Sequence, residues 1–95
     1  MEKVSKARKR IIFRLTATEA AEVSIGGDFN NWNAQKHLLR RKPGGIWEAA
    51  VMLPPGQYEY KFKVDEVWCN DPANNHMCDN PFGTRNNVLS VEDRK

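Results

Sequence analysis

Gln57-Tyr58-Glu59-Tyr60-Lys61-Phe62-Lys63-Val64-Asp65 alternates large apolar and charged residues along its whole length. Tyr58, Tyr60, Phe62 and Val64 fall on one side and Glu59, Lys61 and Lys63 on the other, the period of two that a half-buried β-strand imposes. Pro54-Pro55-Gly56 delivers the chain into this strand, and Asp65-Glu66 leads it out. With Asp65-Glu66 as a two-residue turn, Val64 pairs with Val67 and Lys63 with Trp68, and paired residues share a face. Val67 is then expected in the core beside Val64. Trp68 is expected beside Lys63 and Lys61, on the face away from Tyr58, Tyr60 and Phe62. Packing within a two-layer fold does not explain a large indole next to two ammonium groups.

Outward from this hairpin the chain is a series of short strands. Arg10 to Thr16 alternates, with Ile11, Phe13 and Leu15 opposed to Ile12, Arg14 and Thr16. Val23 and Ile25 repeat the pattern until Gly26-Gly27-Asp28 breaks it, and Leu38 to Arg41 is a brief apolar-to-basic run. Pro43-Gly44-Gly45 turns the chain into Ile46 to Leu53, where Trp47, Ala49, Val51 and Leu53 share one face. Asn87 to Glu92 reads as the last strand. Ala17 to Ala21 is mildly helical but too short to stand alone. Six or seven short strands separated by turns predict an all-β sandwich. The segment from Cys69 to Asn86 reads as one long loop, and ordered loops of that length tend to carry function.

A chain of 95 residues and 10.9 kDa holds one domain with a small core. No apolar run reaches the length of a membrane span, and Arg14 interrupts the only stretch that follows a basic N-terminus, so neither membrane insertion nor a targeting segment is expected. Net charge is +3, with +5 in residues 1–14 and −2 in the rest. The basic excess is therefore assigned to a flexible leader over residues 1–9, ahead of a module over 10–92 and a tail over 93–95. A nucleic-acid footprint across the fold is not supported. Two cysteines make no disulfide scaffold, and Cys69, His76 and Cys78 lack a fourth ligand and a paired knuckle, so no metal or other cofactor is expected. The location expected is cytoplasmic.

The remaining aromatics sharpen the functional reading. Trp47 is in phase with a buried face and belongs to the core. Trp32 lies in Asp28-Phe29-Asn30-Asn31-Trp32-Asn33, a turn-rich polar stretch in which Phe29 is the better candidate for anchoring, which leaves Trp32 at the surface. Exposed tryptophans near amides and ammonium groups suit a sugar, whose C–H face lies on an aromatic ring while its hydroxyls meet donors and acceptors at the rim. Lys61, Thr84, Asn86 and Asn87 supply such groups. The acids are scattered along strands and turns of a chain too small for a deep cleft, which argues against glycoside hydrolysis or other catalysis.

The ordered series Gly27-Asp28-Phe29-Asn30-Asn31-Trp32, Trp47, Leu53-Pro54-Pro55-Gly56, Tyr58-Glu59-Tyr60-Lys61-Phe62, Val64-Asp65, Trp68, Asp71-Pro72 and Gly83-Thr84-Arg85-Asn86-Asn87-Val88 closely resembles the carbohydrate-binding modules of family 48. These are the glycogen-binding domains of AMP-activated protein kinase β subunits and of α-glucan branching and debranching enzymes. The likeness runs from about Ile11 to Val91. It implies an early-set immunoglobulin-like β-sandwich that binds α-1,4-linked glucans such as glycogen, starch or maltooligosaccharides without catalysis, serving a glucan-metabolising enzyme or a kinase-type partner. It assigns sugar stacking to Trp32 and Trp68 and hydrogen bonding to Lys61, Thr84 and Asn86. Phe82 stands where members carry a leucine that inserts into the sugar. Asp65-Glu66 replaces the usual Asp-Gly turn. The alternative is an interaction module of the same fold that has lost sugar binding.

Overall fold

The computed structural model describes residues 7–92. Residues 1–6 of the expected leader and the expected tail over 93–95 lie outside that range. Of the leader's last residues, Arg8 donates from Nη1 to the Met52 carbonyl at 3.3 Å, and Lys9 opens the first strand opposite Leu53.

Among the described residues eight strands follow in order: β1 (Lys9–Thr16), β2 (Val23–Gly27), β3 (Arg40–Lys42), β4 (Ile46–Leu53), β5 (Gly56–Val64), β6 (Val67–Cys69), β7 (Met77–Asp79) and β8 (Arg85–Val91). Single 3-10 turns occupy Asp28–Asn30 and Ala34–Lys36. Antiparallel pairing gives a three-stranded sheet in the order β1-β4-β3 and a five-stranded sheet in the order β2-β5-β8-β7, with β6 also on β5. β8 pairs with β5 from Gly56 to Tyr60 and β6 pairs with it from Phe62 to Val64, while β2 takes residues 60–64 along the other edge.

The sheets pack face to face, and the alternation read from the sequence decides what lies between them. Phe13, Leu15, Trp47, Val51 and Leu53 from the smaller sheet meet Val23, Ile25, Tyr60, Phe62 and Val91 from the larger. The Phe13 ring sits 5.2 Å from Tyr60, edge-on, and 5.6 Å from Phe29, stacked. Phe29 thus anchors its loop as expected. Trp47 is buried, and its indole N–H donates to the Ala17 carbonyl at 3.0 Å.

Several boundaries differ from the sequence reading. Gly26 and Gly27 do not end a strand; they continue β2 opposite Lys61 and Tyr60. Residues 17–21 form a turn closed by Ala20 N–H on Ala17 O rather than a helix. Leu38 makes only a bridge to Ser24, and β3 begins at Arg40. The Cys69 to Asn86 segment is not one loop, because β7 within it pairs with β8, which starts at Arg85. Asn87 holds the rest of that segment in place: wholly buried, it accepts from the Asp71 backbone N–H at 2.7 Å and donates to the carbonyls of Asp71 and Asn74. A buried amide left without these partners would cost about 1–3 kcal/mol.

Val67 is also a correction. It pairs with Val64 as expected, but it is exposed, and Val64 is only partly buried. The hairpin tip reaches past the packed interface, so sharing a face with the core did not bring Val67 under cover.

Candidate functional site

The outward face of β5 is the base of the site. The Asp65-Glu66 turn has φ of 47° and 74°, the left-handed pair that a type I′ turn requires, so this dipeptide serves where Asp-Gly is the easier choice. Asp65 offsets part of that strain by accepting the backbone N–H groups of Ala21 and Glu22. The register that follows is Val64 to Val67 and Lys63 to Trp68, which sets Trp68 on the outward face with Lys61 and Lys63.

β6 and β2 flank β5 on opposite edges, so the Trp68 indole crosses over β5 to reach Gly26. A β-carbon at position 26 would lie 2.6 Å from Trp68 Cη2 and 2.9 Å from Cζ3. The missing side chain of Gly26 is what lets the ring lie along the sheet. Lys63 Nζ stands 5.4 Å from the centre of the Trp68 ring, within cation–π range, and Trp68 remains 40% exposed.

Trp32 reaches the same place from the loop after β2. Its centroid is 5.9 Å from that of Trp68 and the rings are inclined at 64°. Asn31 and Trp32 have φ of 55° and 60°. Asparagine tolerates the left-handed region, whereas a bulky residue there costs about 1–2 kcal/mol. That conformation is held by neighbours: Trp32 N–H donates to Gly27 O at 2.9 Å, and the indole Nε1 donates to Asp28 Oδ1 at 3.2 Å. The other oxygen of Asp28 accepts the Glu59 N–H of β5 at 2.8 Å, which ties the loop to the sheet. Asn30 pins the base of the loop, accepting from Gly27 N–H and donating to Ile25 O and His37 Nδ1.

The polar residues expected at the site also gather here. Lys61, opposite Gly26, donates from Nζ to Thr84 Oγ1 at 3.1 Å. Asn80 organises the turn that carries Thr84: its Nδ2 donates to Thr84 Oγ1 at 2.8 Å and Asn86 Oδ1 at 2.9 Å, while its Oδ1 accepts the N–H groups of Phe82 and Thr84. Asn86 is only 7% exposed, and its Nδ2 donates to Glu59 Oε1 at 2.9 Å. Its amide is therefore already engaged on both ends. Phe82 is the reverse case, 86% exposed beside Gly83, which takes φ of 82°.

Gly26, Lys63, Asn80, Asp28 and Glu59 escaped the sequence reading as site residues. The Lys63 to Trp68 register did carry a signal for Lys63. Cys69 and Cys78 are free thiols on β6 and β7, each with its pKa pushed up, chiefly by burial. Among the described residues, no three of the His, Cys, Asp and Glu side chains converge as a metal site would need.

Residues 10–95 match the family model described as the glycogen recognition site of AMP-activated protein kinase. The chain is 37% identical over 82 residues to the chloroplastic protein FLOURY ENDOSPERM 6 of Oryza sativa subsp. japonica, covering 86% of this chain and 15% of that protein. It is 35% identical over 91 residues to the β-1 subunit of the 5′-AMP-activated protein kinase of Sus scrofa, covering 96% of this chain and 70% of that subunit. It is 31% identical over 83 residues to the 1,4-α-glucan branching enzyme GlgB of Prochlorococcus marinus, covering 85% of this chain and 10% of the enzyme. The chain thus spans a small part of the first and third of these proteins. Together with the immunoglobulin-like sandwich and the paired tryptophans, the match over nearly the whole chain makes this protein a member of the glycogen-recognition domain family, the carbohydrate-binding modules of family 48.

Proposed function

We propose that this module binds α-1,4-linked glucan on the outward face of the five-stranded sheet and does so without catalysis. The observation that carries the reading is the Trp32–Trp68 pair, two rings 5.9 Å apart and set at 64°, bordered by Lys61 and Thr84. Successive glucose units of an α-1,4 chain turn relative to one another, and two inclined platforms suit that curvature. Lys61, with the Thr84 hydroxyl it contacts, offers donors and an acceptor to sugar hydroxyls at the rim. Phe82 adds an exposed apolar side chain beside them. Asn86, buried with its amide engaged, acts by holding Asn80 and Glu59 in place rather than as a free arm.

The acids near the platform support a non-catalytic role. Both oxygens of Asp28 and one of Glu59 accept hydrogen bonds from the protein, so they serve as struts and not as a general acid and base facing one bond. The names of the relatives, a kinase subunit and a branching enzyme, support a targeting role in which the module keeps such an enzyme on its polymer. Electrophoresis in a native gel containing glycogen tests the reading. The wild type should be retarded and the Trp32→Ala, Trp68→Ala double variant should not; a wild type that runs as in plain gel contradicts it.

A further inference from the structure

The outward face of the three-stranded sheet, opposite the sugar platform, carries a groove of ≈ 470 Å³. Its form follows from the strand order. β4 lies between β1 and β3, and the small side chain of Ala50 leaves a trough between larger neighbours. Arg10 and Ile12 of β1 form one wall; Leu38, Arg40 and Lys42 form the other. Ile12 is 41% and Leu38 54% exposed, and Met52, opposite Arg10, is 49% exposed.

The charges on this face are nearly all of one sign. Among the described residues, Arg10, Arg14, Lys36, Arg40 and Lys42 surround a single carboxylate, Glu48. Arg14 and Lys42 both bridge to Glu48, and their hydrogen bonds hold its carboxyl below the usual range. Among the described residues, Arg10, Lys36 and Arg40 have no ion-pair partner. Here the structure alters the charge reading: positive charge that the sequence assigned to a leader belongs in part to β1 and joins Arg40 and Lys42 from a distant stretch.

We infer that this groove docks an extended acidic polypeptide segment that also carries apolar side chains. Carboxylates would meet Arg10, Arg40 and Lys36, while apolar groups would cover Ile12, Leu38 and Ala50. Among the described residues, no Trp, Tyr or Phe lines the groove, and its one aromatic ring, His37, is engaged with Phe29 and Asn30, so nothing is offered to stack a nucleobase; a phosphodiester backbone would also leave those exposed apolar groups uncovered. Because the two outward faces lie on opposite sides of the sandwich, the segment and a glucan bind together, which would couple the polymer to a second protein.

Nuclear magnetic resonance with an alternating Glu-Leu peptide tests this. The peptide should shift the amides of Ile12, Leu38, Arg40 and Ala50, and added salt should weaken it. An Arg10→Glu, Arg40→Glu variant should bind at least about tenfold more weakly. Its unchanged affinity for maltoheptaose, or an unchanged melting temperature if sugar binding proves absent, would show that the fold is intact. Absence of shifts at millimolar peptide, equal binding of a Lys-Leu peptide, or tighter binding of oligo-dT to the same residues would overturn the inference.

Discussion

The benzo edge of Trp68 occupies the space that a side chain on Gly26 would need, although the two residues lie 42 positions apart on strands separated by β5. This relationship sets the attitude of the platform. Gly26→Ala should lift the indole and weaken glucan binding by about 0.5–1.5 kcal/mol, the range attached to aromatic geometry, with little change in stability because a side-chain tip can move. Gly27→Ala makes the contrast. There a β-carbon meets Glu59 O at 2.6 Å and Tyr60 Cβ at 2.9 Å, so backbone must shift and stability should fall by about 1–3 kcal/mol. Calorimetric titration with maltoheptaose and thermal melts separate the two outcomes. Equal effects on both readouts for the two glycines would show that the clearance under Trp68 has no special role.

Trp32 is held in the left-handed region, and its replacement should expose that strain. Trp32→Ala and Trp68→Ala should each lose about 1–3 kcal/mol of glucan affinity. Trp32→Gly should lose as much affinity yet be about 1 kcal/mol more stable than Trp32→Ala, since glycine takes a φ of 60° freely. Urea melts of the two variants check this. An alanine variant as stable as the glycine one would mean that the loop relaxes to another backbone conformation.

Asn80 makes four hydrogen bonds within the turn that presents Phe82 and Thr84. Asn80→Ala should therefore cost about 1–3 kcal/mol of stability and weaken sugar binding without contacting the sugar. Lys61→Ala should weaken binding by about 0.5–3 kcal/mol while leaving the fold alone. The turn amides, Phe82 to Arg85, should show raised hydrogen exchange only in the Asn80 variant.

Tyr60 predicts an alkaline limit to stability. Burial raises the pKa of its phenol well above the ordinary 10.0; the Asp71 carboxylate, which accepts its hydroxyl at 2.7 Å, adds to this, and the Asn74 amide works against it. A folded pKa above the unfolded one means that the stabilisation is complete below about pH 10 and is lost as the pH climbs beyond it. Stability should thus decline from about pH 10 upward. Tyr60→Phe should be about 1–3 kcal/mol less stable at neutral pH and show a shallower alkaline decline. A decline of undiminished slope would place its origin elsewhere.

What the sequence shows of the fold and the site depends on whether a feature is local. The alternation in β1, β4 and β5 fixes which residues face the core, because period two is a property of the strand itself. The register from Lys63 to Trp68 follows from a two-residue turn, and with it the outward face of Trp68. Gly26 reads as a strand breaker because nothing near it in sequence announces an indole arriving from beyond β5. Asn80 gives no local signal for the same reason: its role is set by the closing of a turn whose far side is Asn86. The sequence assigns Asn86 a hydrogen bond to sugar but gives no sign of the partners that bury it, Glu59 and Asn80, which come from two other parts of the chain. β7 is only three residues long, too short for a periodic signal, and depends on pairing with β8.

In the proposed function Trp32 and Trp68 together form a glucan platform while Trp47 is structural. The three indole N–H signals of the protein can be followed in a nitrogen–proton correlation spectrum as maltoheptaose is added. The signals of Trp32 and Trp68 should move together along one saturation curve, while that of Trp47, buried and bonded to Ala17 O, stays fixed. Three stationary indole signals at millimolar sugar, or movement of Trp47 without the other two, would rule out the Trp32–Trp68 platform.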